Sequence, residues 1–323
     1  MDNKTMTIDG VSVPAGTETI IEVEIARLPS GTLIHMPVHV FRSENPGPVV
    51  LLSGGLHGDE INGIEIVRQM VAGKLLRNLK KGTVIALPII NVYGFIHFSR
   101  EVPDGKDVNR SFPGSPDGSL AAIVAHTISH KILPIIDFGI DFHTGGASRT
   151  NYPQIRYSES DEVGKKIAQS FKAPFTLTSG IIPGSLRATA RDLGKSIIVF
   201  EGGESLRFDE KAISKAVKGI KRVLYDLGMT DKKMKDPARM IHFNEAQWER
   251  ADASGLFISY KQSGQKVKKG ELIGRINNPH NSFSVKVISP ISGYIIGHNN
   301  IPMVHRGDAL FHIGTVEKIQ RRD

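Results

Sequence analysis

The chain has 323 residues, 40% of them hydrophobic and 23% charged, which is enough length for a full-sized catalytic domain with a smaller unit beside it. It has no cysteine, which excludes disulfides, thiolate metal sites and cysteine nucleophiles; any metal here must be held by His, Asp or Glu. The formal charge is +8, but the lysines gather over 211–235 and 261–269 with no basic stripe of interleaved aromatics, so nucleic-acid binding is not expected and the positive surface is read as solvated, with some pull on anionic substrates.

In chain order, Met1 to Thr5 are not followed by the apolar stretch of a secretory leader, and no run approaches the roughly 18 apolar residues of a membrane span, so a cytoplasmic protein that does not engage a membrane is expected. Thr19 to Leu28 and Thr32 to Arg42 read as two strands joined at Ser30-Gly31. After the turn signal Glu44 to Pro48, the apolar run Val49-Val50-Leu51-Leu52 reads as a buried parallel strand ending in Ser53-Gly54-Gly55. Apolar residues at helical spacing then run from Ile61 to Leu79, and Gly82 closes that segment. Val84 to Ile90 is the next buried strand, and 91–119 reads as a long loop of the kind that carries function. A helix over Leu120 to Leu133 is stopped by Pro134, and Phe138 to Phe142 is a short strand. Glu162 to Phe171 is a helix, Ile197 to Phe200 a strand, and Asp209 to Leu227 a long amphipathic helix. This alternation predicts an α/β domain over 1–240, with a mixed, mostly parallel sheet flanked by helices and a β-hairpin at its start. From about residue 245 to 323, short strands separated by glycine turns predict a small all-β domain.

Chemistry concentrates where strands end. Gly54-Gly55-Leu56-His57-Gly58-Asp59-Glu60 lies at a strand-to-helix handover, where open α/β sheets place their sites. His57 and Glu60 can point at one ion across that turn, and His143, at the end of the strand Asp141-Phe142-His143, supplies a third ligand. Two imidazoles and one carboxylate with an open position are the donor set of a catalytic zinc. His126 and His130 have the i, i+4 spacing of helical ligands, but no Glu follows His126, and they read as surface or packing histidines. Glu201, closing the strand Ile197 to Phe200 and followed by Gly202-Gly203, is a candidate general base; a helix cap or surface ion pair is its other reading, and Glu204 is a rival. Asn91, Arg100, Asp107, Asn109 and Arg110 sit on the long loop, where guanidinium groups can grip carboxylates or an oxyanion, or simply be solvated.

Together these segments resemble the succinylglutamate desuccinylase/aspartoacylase family, a branch of the zinc carboxypeptidase fold. The resemblance rests on His57-x-x-Glu60, on Asn91 and Arg100 followed by Asp107-Val108-Asn109-Arg110, on Asp141-Phe142-His143, and on Glu201-Gly202-Gly203 with Arg191 ten residues earlier. It implies one zinc on His57, Glu60 and His143, with Glu201 activating water and returning a proton to the leaving amine. It also implies that Arg100 polarises the scissile carbonyl, that Asn109 and Arg110 hold the substrate carboxylate, that Arg191 holds a second anionic group, and that Asp141 orients a ligand histidine. The reaction it implies is amide hydrolysis of a small anionic N-acyl amino acid, an N-acetyl diamino acid among the candidates. A carboxypeptidase acting on short peptides and a non-catalytic binding protein are the competing readings. Val108 and Phe142 stand where the family has leucine, and neither Tyr260 nor Tyr294 matches its late substrate tyrosine.

Residues 254–315 are similar to a biotinyl/lipoyl-like β-fold. A carrier would need a lysine near Ser282; Lys286 instead sits inside an alternating strand, so the module reads as structural, shaping the site entrance or a homo-oligomer interface.

Overall fold

The computed structural model describes residues 5–316 apart from 29, 238 and 239. The first four residues, Pro29 in the turn before Ser30-Gly31, and 317–323 therefore lie outside the described residues. A short hairpin, β1 (Met6–Ile8) and β2 (Val11–Val13), precedes the long antiparallel pair β3 (Glu18–Arg27) and β4 (Leu33–Arg42). In β3 and β4 buried and open positions alternate, as their period-2 apolar pattern requires. β5 (Val49–Gly54) and β6 (Thr83–Leu87) are buried almost throughout, because both their faces are covered. Between them α1 (Ile61–Ala72) ends earlier than the apolar pattern suggests. Gly73 stops it, and only a single 3-10 turn, Leu76–Asn78, follows.

The long loop contains two ordered turns. α2 (Val92–Ile96) is capped by Asn91, whose side chain accepts from the Gly94 N–H, and the 3-10 turn Val108–Arg110 is capped by Asp107, which accepts from the Asn109 N–H. Both are too short to leave a periodic signature. α3 (Leu120–Thr127) widens into a π turn over Ile128–Ile132, where Ser129 Oγ donates back to the Ala125 carbonyl. β7 (Phe138–Gly145) runs three residues past its apolar stretch. Next come β8 (Arg149–Tyr157), α4 (Glu162–Phe171), β9 (Phe175–Thr178), α5 (Leu186–Asp192), β10 (Ser196–Glu204) and α6 (Glu210–Asp226). The late strands are β11 (Ile241–Phe243), β12 (Glu245–Arg250), β13 (Gly255–Ser259), β14 (Lys266–Val267), β15 (Leu272–Asn277), β16 (Ser284–Ile288), β17 (Gly293–Asn299), β18 (Met303–Val304) and β19 (Ala309–Thr315).

The main sheet has the order β12-β19-β17-β8-β10-β7-β5-β6-β4-β3. Along this path only β10-β7-β5-β6 are mutually parallel; every other pairing is antiparallel, so the expected mostly parallel sheet is confined to the centre. On one side the change comes at β8, which follows β7 after only residues 146–148, too short a link for a parallel crossover, and so runs antiparallel beside β10. Its other edge receives β17, so the late strands β17, β19 and β12 extend the same sheet. β13, β15, β16 and β18 form a separate four-stranded sheet.

Two apolar cores flank the centre. α1, α4 and α6 pack Ile66, Phe171 and Ile220 against Leu52, Ile140, Phe142 and Phe200 on one face. On the other, Val124, Ile128 and Leu186 cover Leu51, Ile85 and Ile197. Strand alternation then dictates where polar groups go. With Phe138, Ile140 and Phe142 of β7 turned into the first core, Asp141 and His143 must face the opposite way.

His312 of β19 stacks on Trp248 of β12 with ring centroids 4.6 Å apart. Burial, with Arg156 nearby adding to it, pushes the His312 imidazole down to about 3. The folded chain thus keeps this group neutral while the unfolded chain takes up a proton near its ordinary value. Stability should therefore fall as pH drops from about 6.5 towards 3, by at most about 4–5 kcal/mol from this residue. His312→Phe keeps the stack and should flatten that acid limb in denaturant titrations; an unchanged limb would assign it to other groups.

Candidate metal centre

Three neighbouring strand ends converge. The parallel register sets Gly54 beside Phe142 and His143 beside Glu201, which brings the β5–α1 turn, the end of β7 and the end of β10 to one place. The β5–α1 turn is unusually tight. A Cβ on Gly58 would lie 1.9 Å from the Gly94 backbone, so only glycine lets this turn pass under α2.

His57 and Glu60 from that turn meet His143 from β7. His57 Nδ1 lies 2.7 Å from Glu60 Oε1, and His143 Nδ1 lies 2.9 Å from Glu60 Oε2. One ligand atom from each residue fits within a mutual 4.8 Å, and all three residues are buried. The far nitrogens face carboxylates. His143 Nε2 is 2.7 Å from Asp141 Oδ2, and Asp141 Oδ1 accepts from Ser53 Oγ at 2.8 Å. His57 Nε2 is 3.3 Å from Asp107 Oδ1, close enough for attraction but off the line of a well-formed hydrogen bond. Both imidazoles therefore present Nδ1 inward with a carboxylate behind, as in a carboxylate–histidine–metal arrangement.

The charge balance supports that reading. Burial works against the Glu60 charge, yet the two imidazoles outweigh it and hold the carboxyl well below its usual range. Burial likewise opposes protonation of His143, but Asp141 and Glu60 raise it well above the ordinary imidazole value; His57 is raised less, by Glu60 and Asp107. Without a cation, protons supply the positive charge this cluster needs. A divalent ion would replace them, since metal ligation requires neutral imidazole. The donor set, two nitrogens and a carboxylate, fits zinc.

The cluster opens into a cavity of about 510 Å³. Arg100 lies along its edge. Its Nε and Nη2 donate to Asp107 Oδ2 at 3.1 and 2.9 Å, which aims Nη1 at Glu60 Oε1, 3.4 Å away. Asn109 and Arg110 also line the cavity; Asn109 Oδ1 accepts from the Leu186 N–H at 3.0 Å and so ties the 108–110 turn to α5. Glu201 lines the cavity wall from β10. Glu204 does not: it pairs with Arg207 at 3.6 Å, and its carbonyl accepts from Asn62.

Arg191 is not brought to this cavity. It lies at the end of α5, exposed, and its guanidinium pairs with Asp192. One helical turn earlier, Arg187 lines the cavity instead, because it follows the Ser185 cap and points along the site wall. Arg187 donates to Ser179 and has no ion pair among the described residues; burial and the nearby Arg156 lower its pKa. Arg149, Arg156, Asn151 and Trp248 also line the cavity and carried no motif. The first three belong to β8, whose broken apolar pattern hid the strand, and Trp248 comes from β12, some hundred residues further along the chain.

Residues 46–227 match the family model of the succinylglutamate desuccinylase/aspartoacylase catalytic domain. The chain belongs to this family. Its members are deacylases that act on small acyl-amino acids. One relative is the N-alpha-acetyl-L-2,4-diaminobutyric acid deacetylase of Halomonas elongata, 27% identical over 255 residues, or 75% of this chain and 74% of that protein. The crystal structure of a succinylglutamate desuccinylase/aspartoacylase from Rhodobacter sphaeroides superposes with a TM-score of 0.82 at 25% identity, over 93% of this chain and 95% of that one. The product-bound ectoine utilization protein of Ruegeria pomeroyi has the same fold, with a TM-score of 0.81 at 23% identity over 93% and 94% of the two chains. Among the described residues no helix is long and apolar enough to cross a membrane.

Removing the carboxylate behind one ligand tests the metal arrangement. Asp141→Ala should weaken zinc affinity about 10–100-fold in a chelator competition, with His143 left unsupported. Affinity equal to the wild type would mean that Asp141 does not orient the ligand.

Proposed function

We propose that this protein is a zinc-dependent hydrolase of the amide bond in a small, anionic N-acyl amino acid. The observation that carries this reading is a His57–Glu60–His143 cluster and Glu201 facing one cavity that five arginines line: Arg100, Arg110, Arg149, Arg156 and Arg187. Among the described residues only three carboxylates, Glu60, Asp141 and Glu201, line it with them, so an acidic ligand is favoured.

A zinc ion on His57, Glu60 and His143 would supply Lewis acidity and a reactive water at neutral pH. The chain's own groups do the rest. Asp107 holds Arg100 by two nitrogens, and Nη1, 3.4 Å from Glu60 Oε1, would donate to the scissile carbonyl oxygen as negative charge develops there. Asn109 and Arg110 grip the carboxylate of the amino-acid portion, and Arg187, rather than Arg191, meets a second anionic group. Glu201 takes a proton from the attacking water and delivers it to the departing amine. We read the strands after residue 254 as biotinyl/lipoyl-like in shape but structural in role, since Lys286 lies mid-strand opposite Arg275 rather than at a hairpin tip.

Purified protein should hold about one zinc per chain and lose activity to chelation. Glu201→Gln should keep the metal yet lose turnover by about 10²-fold or more. Arg110→Ala should raise KM with little change in kcat. A panel of N-acetyl, N-succinyl and N-formyl amino acids, Nα-acetyl-2,4-diaminobutyrate and dipeptides should give highest kcat/KM on an acidic N-acyl amino acid. A preference for dipeptides would make the protein a carboxypeptidase; a preference for the diamino acid would overturn the arginine argument.

A further inference from the structure

Glu201 must point its carboxylate at water in the cavity, yet it has three freely rotating side-chain torsions and a glycine pair after it. Among the described residues its carboxylate has one hydrogen bond: Asn151 Nδ2 donates to Oε2 at 2.5 Å. Arg156 Nη1 stands 3.6 Å from Oε1, too far for a good hydrogen bond. Asn151 is itself buried and lies on β8, two strands from the metal ligands.

Asn151 faces Glu201 because of an irregularity. Glu201 pairs with Gln154 and Gly203 with Asn151, so two residues of β8, Tyr152 and Pro153, run against Gly202 alone on β10. This bulge, at Tyr152-Pro153, shifts the pleat by one and turns Asn151 onto the cavity face with Arg156.

The position is held from outside the catalytic region. On the far edge of β8, Gly297 of β17 pairs with Asn151. A Cβ on Gly297 would lie 2.5 Å from Asn151 Oδ1, so any larger residue there displaces the amide. The same late segment clamps the start of β8. Asn300 N–H donates to the Ser148 carbonyl, Asn300 Nδ2 to Thr150 Oγ1, and Ser263 Oγ to the Thr150 carbonyl while meeting His298 Nδ1.

We propose that Asn151 is the positioning residue for Glu201, and that Gly297 and the strand carrying it hold that amide in place, which makes the late β-strands part of the catalytic apparatus. The proposal rests on the reading of Glu201 as the general base. A neutral amide suits the task, since it fixes one carboxylate oxygen without placing another cation on it.

The test uses the zinc-loaded full chain and Asn151→Ala, Asn151→Asp, Gly297→Ala, Glu201→Gln and the Asn151→Ala/Gly297→Ala double variant. Turnover is measured on the best substrate of the panel above, together with zinc content and the side-chain amide resonance of Asn151, assigned by its loss in Asn151→Ala. We expect Asn151→Ala to lower kcat about tenfold or more while KM stays within about twofold and zinc is retained. Asn151→Asp, which sets two carboxylates together, should be no better. Gly297→Ala should lower kcat in the same manner, and the double variant should be no worse than Asn151→Ala alone, because both act through one amide. The amide resonance should move in both Glu201→Gln and Gly297→Ala. Wild-type kcat in Asn151→Ala beside an inactive Glu201→Gln overturns the proposal, as do additive losses in the double variant or an amide resonance blind to Glu201→Gln. An active Glu201→Gln instead refutes the general-base reading, and the resonance still reports whether Asn151 holds Glu201. If Gly297→Ala fails to fold, the kcat and KM of Asn151→Ala decide the matter.

Discussion

A buried carboxylate is among the costliest groups a protein can hold unless it is compensated, and Glu60 is fully buried. Its two oxygens each face an imidazole Nδ1, and Oε2 also accepts from the Thr144 N–H at 2.9 Å. Positive charge must therefore be delivered to this point, as protons or as a metal ion. Much of the surrounding structure follows from that requirement. Asp141 and Asp107 stand behind the imidazoles, Ser53 holds Asp141, and Arg100 spans from Asp107 to Glu60.

Asp107 links more of the site than any single motif reveals. Oδ2 binds two nitrogens of Arg100, and Oδ1 accepts the Asn109 N–H at 2.7 Å while lying near His57. The positions of His57, of Arg100 and of the turn that carries Asn109 and Arg110 are thus set together. Burial works against its charge, but His57 and Arg100 outweigh that and keep the carboxyl below its usual range. The Asp-x-Asn-Arg spacing is short because one carboxylate must cap the turn it begins.

The sheet architecture divides the labour. Its parallel centre places groups of opposite function side by side, with ligand-bearing ends of β5 and β7 next to the Glu201 end of β10. Its antiparallel wing, β8 and the late strands, supplies Arg149, Arg156, Asn151 and Trp248 to the cavity lining beside Glu201. Trp248 is held there by its stack on His312 and by Arg149 over its ring at 5.6 Å. The shape of this wall is therefore tied to strands far along the chain.

The sequence by itself determined the ligand cluster, the α/β alternation and the family, because those depend on local signals: apolar runs that must be strands, glycines at strand ends, and donors spaced across one turn. Glu201 was legible for the same reason, as a carboxylate closing a buried strand. Only the tertiary structure decided which arginines meet the cavity. Arg187 and Arg191 differ by one helical turn, and no local pattern separates the one facing inward from the one paired with Asp192. It also decided the role of β8 and of the strands beyond it, since a bulge at Pro153 and a pairing between Asn151 and Gly297 join segments about 150 residues apart. Such contacts are set by backbone register, which the side-chain pattern of a single strand does not encode.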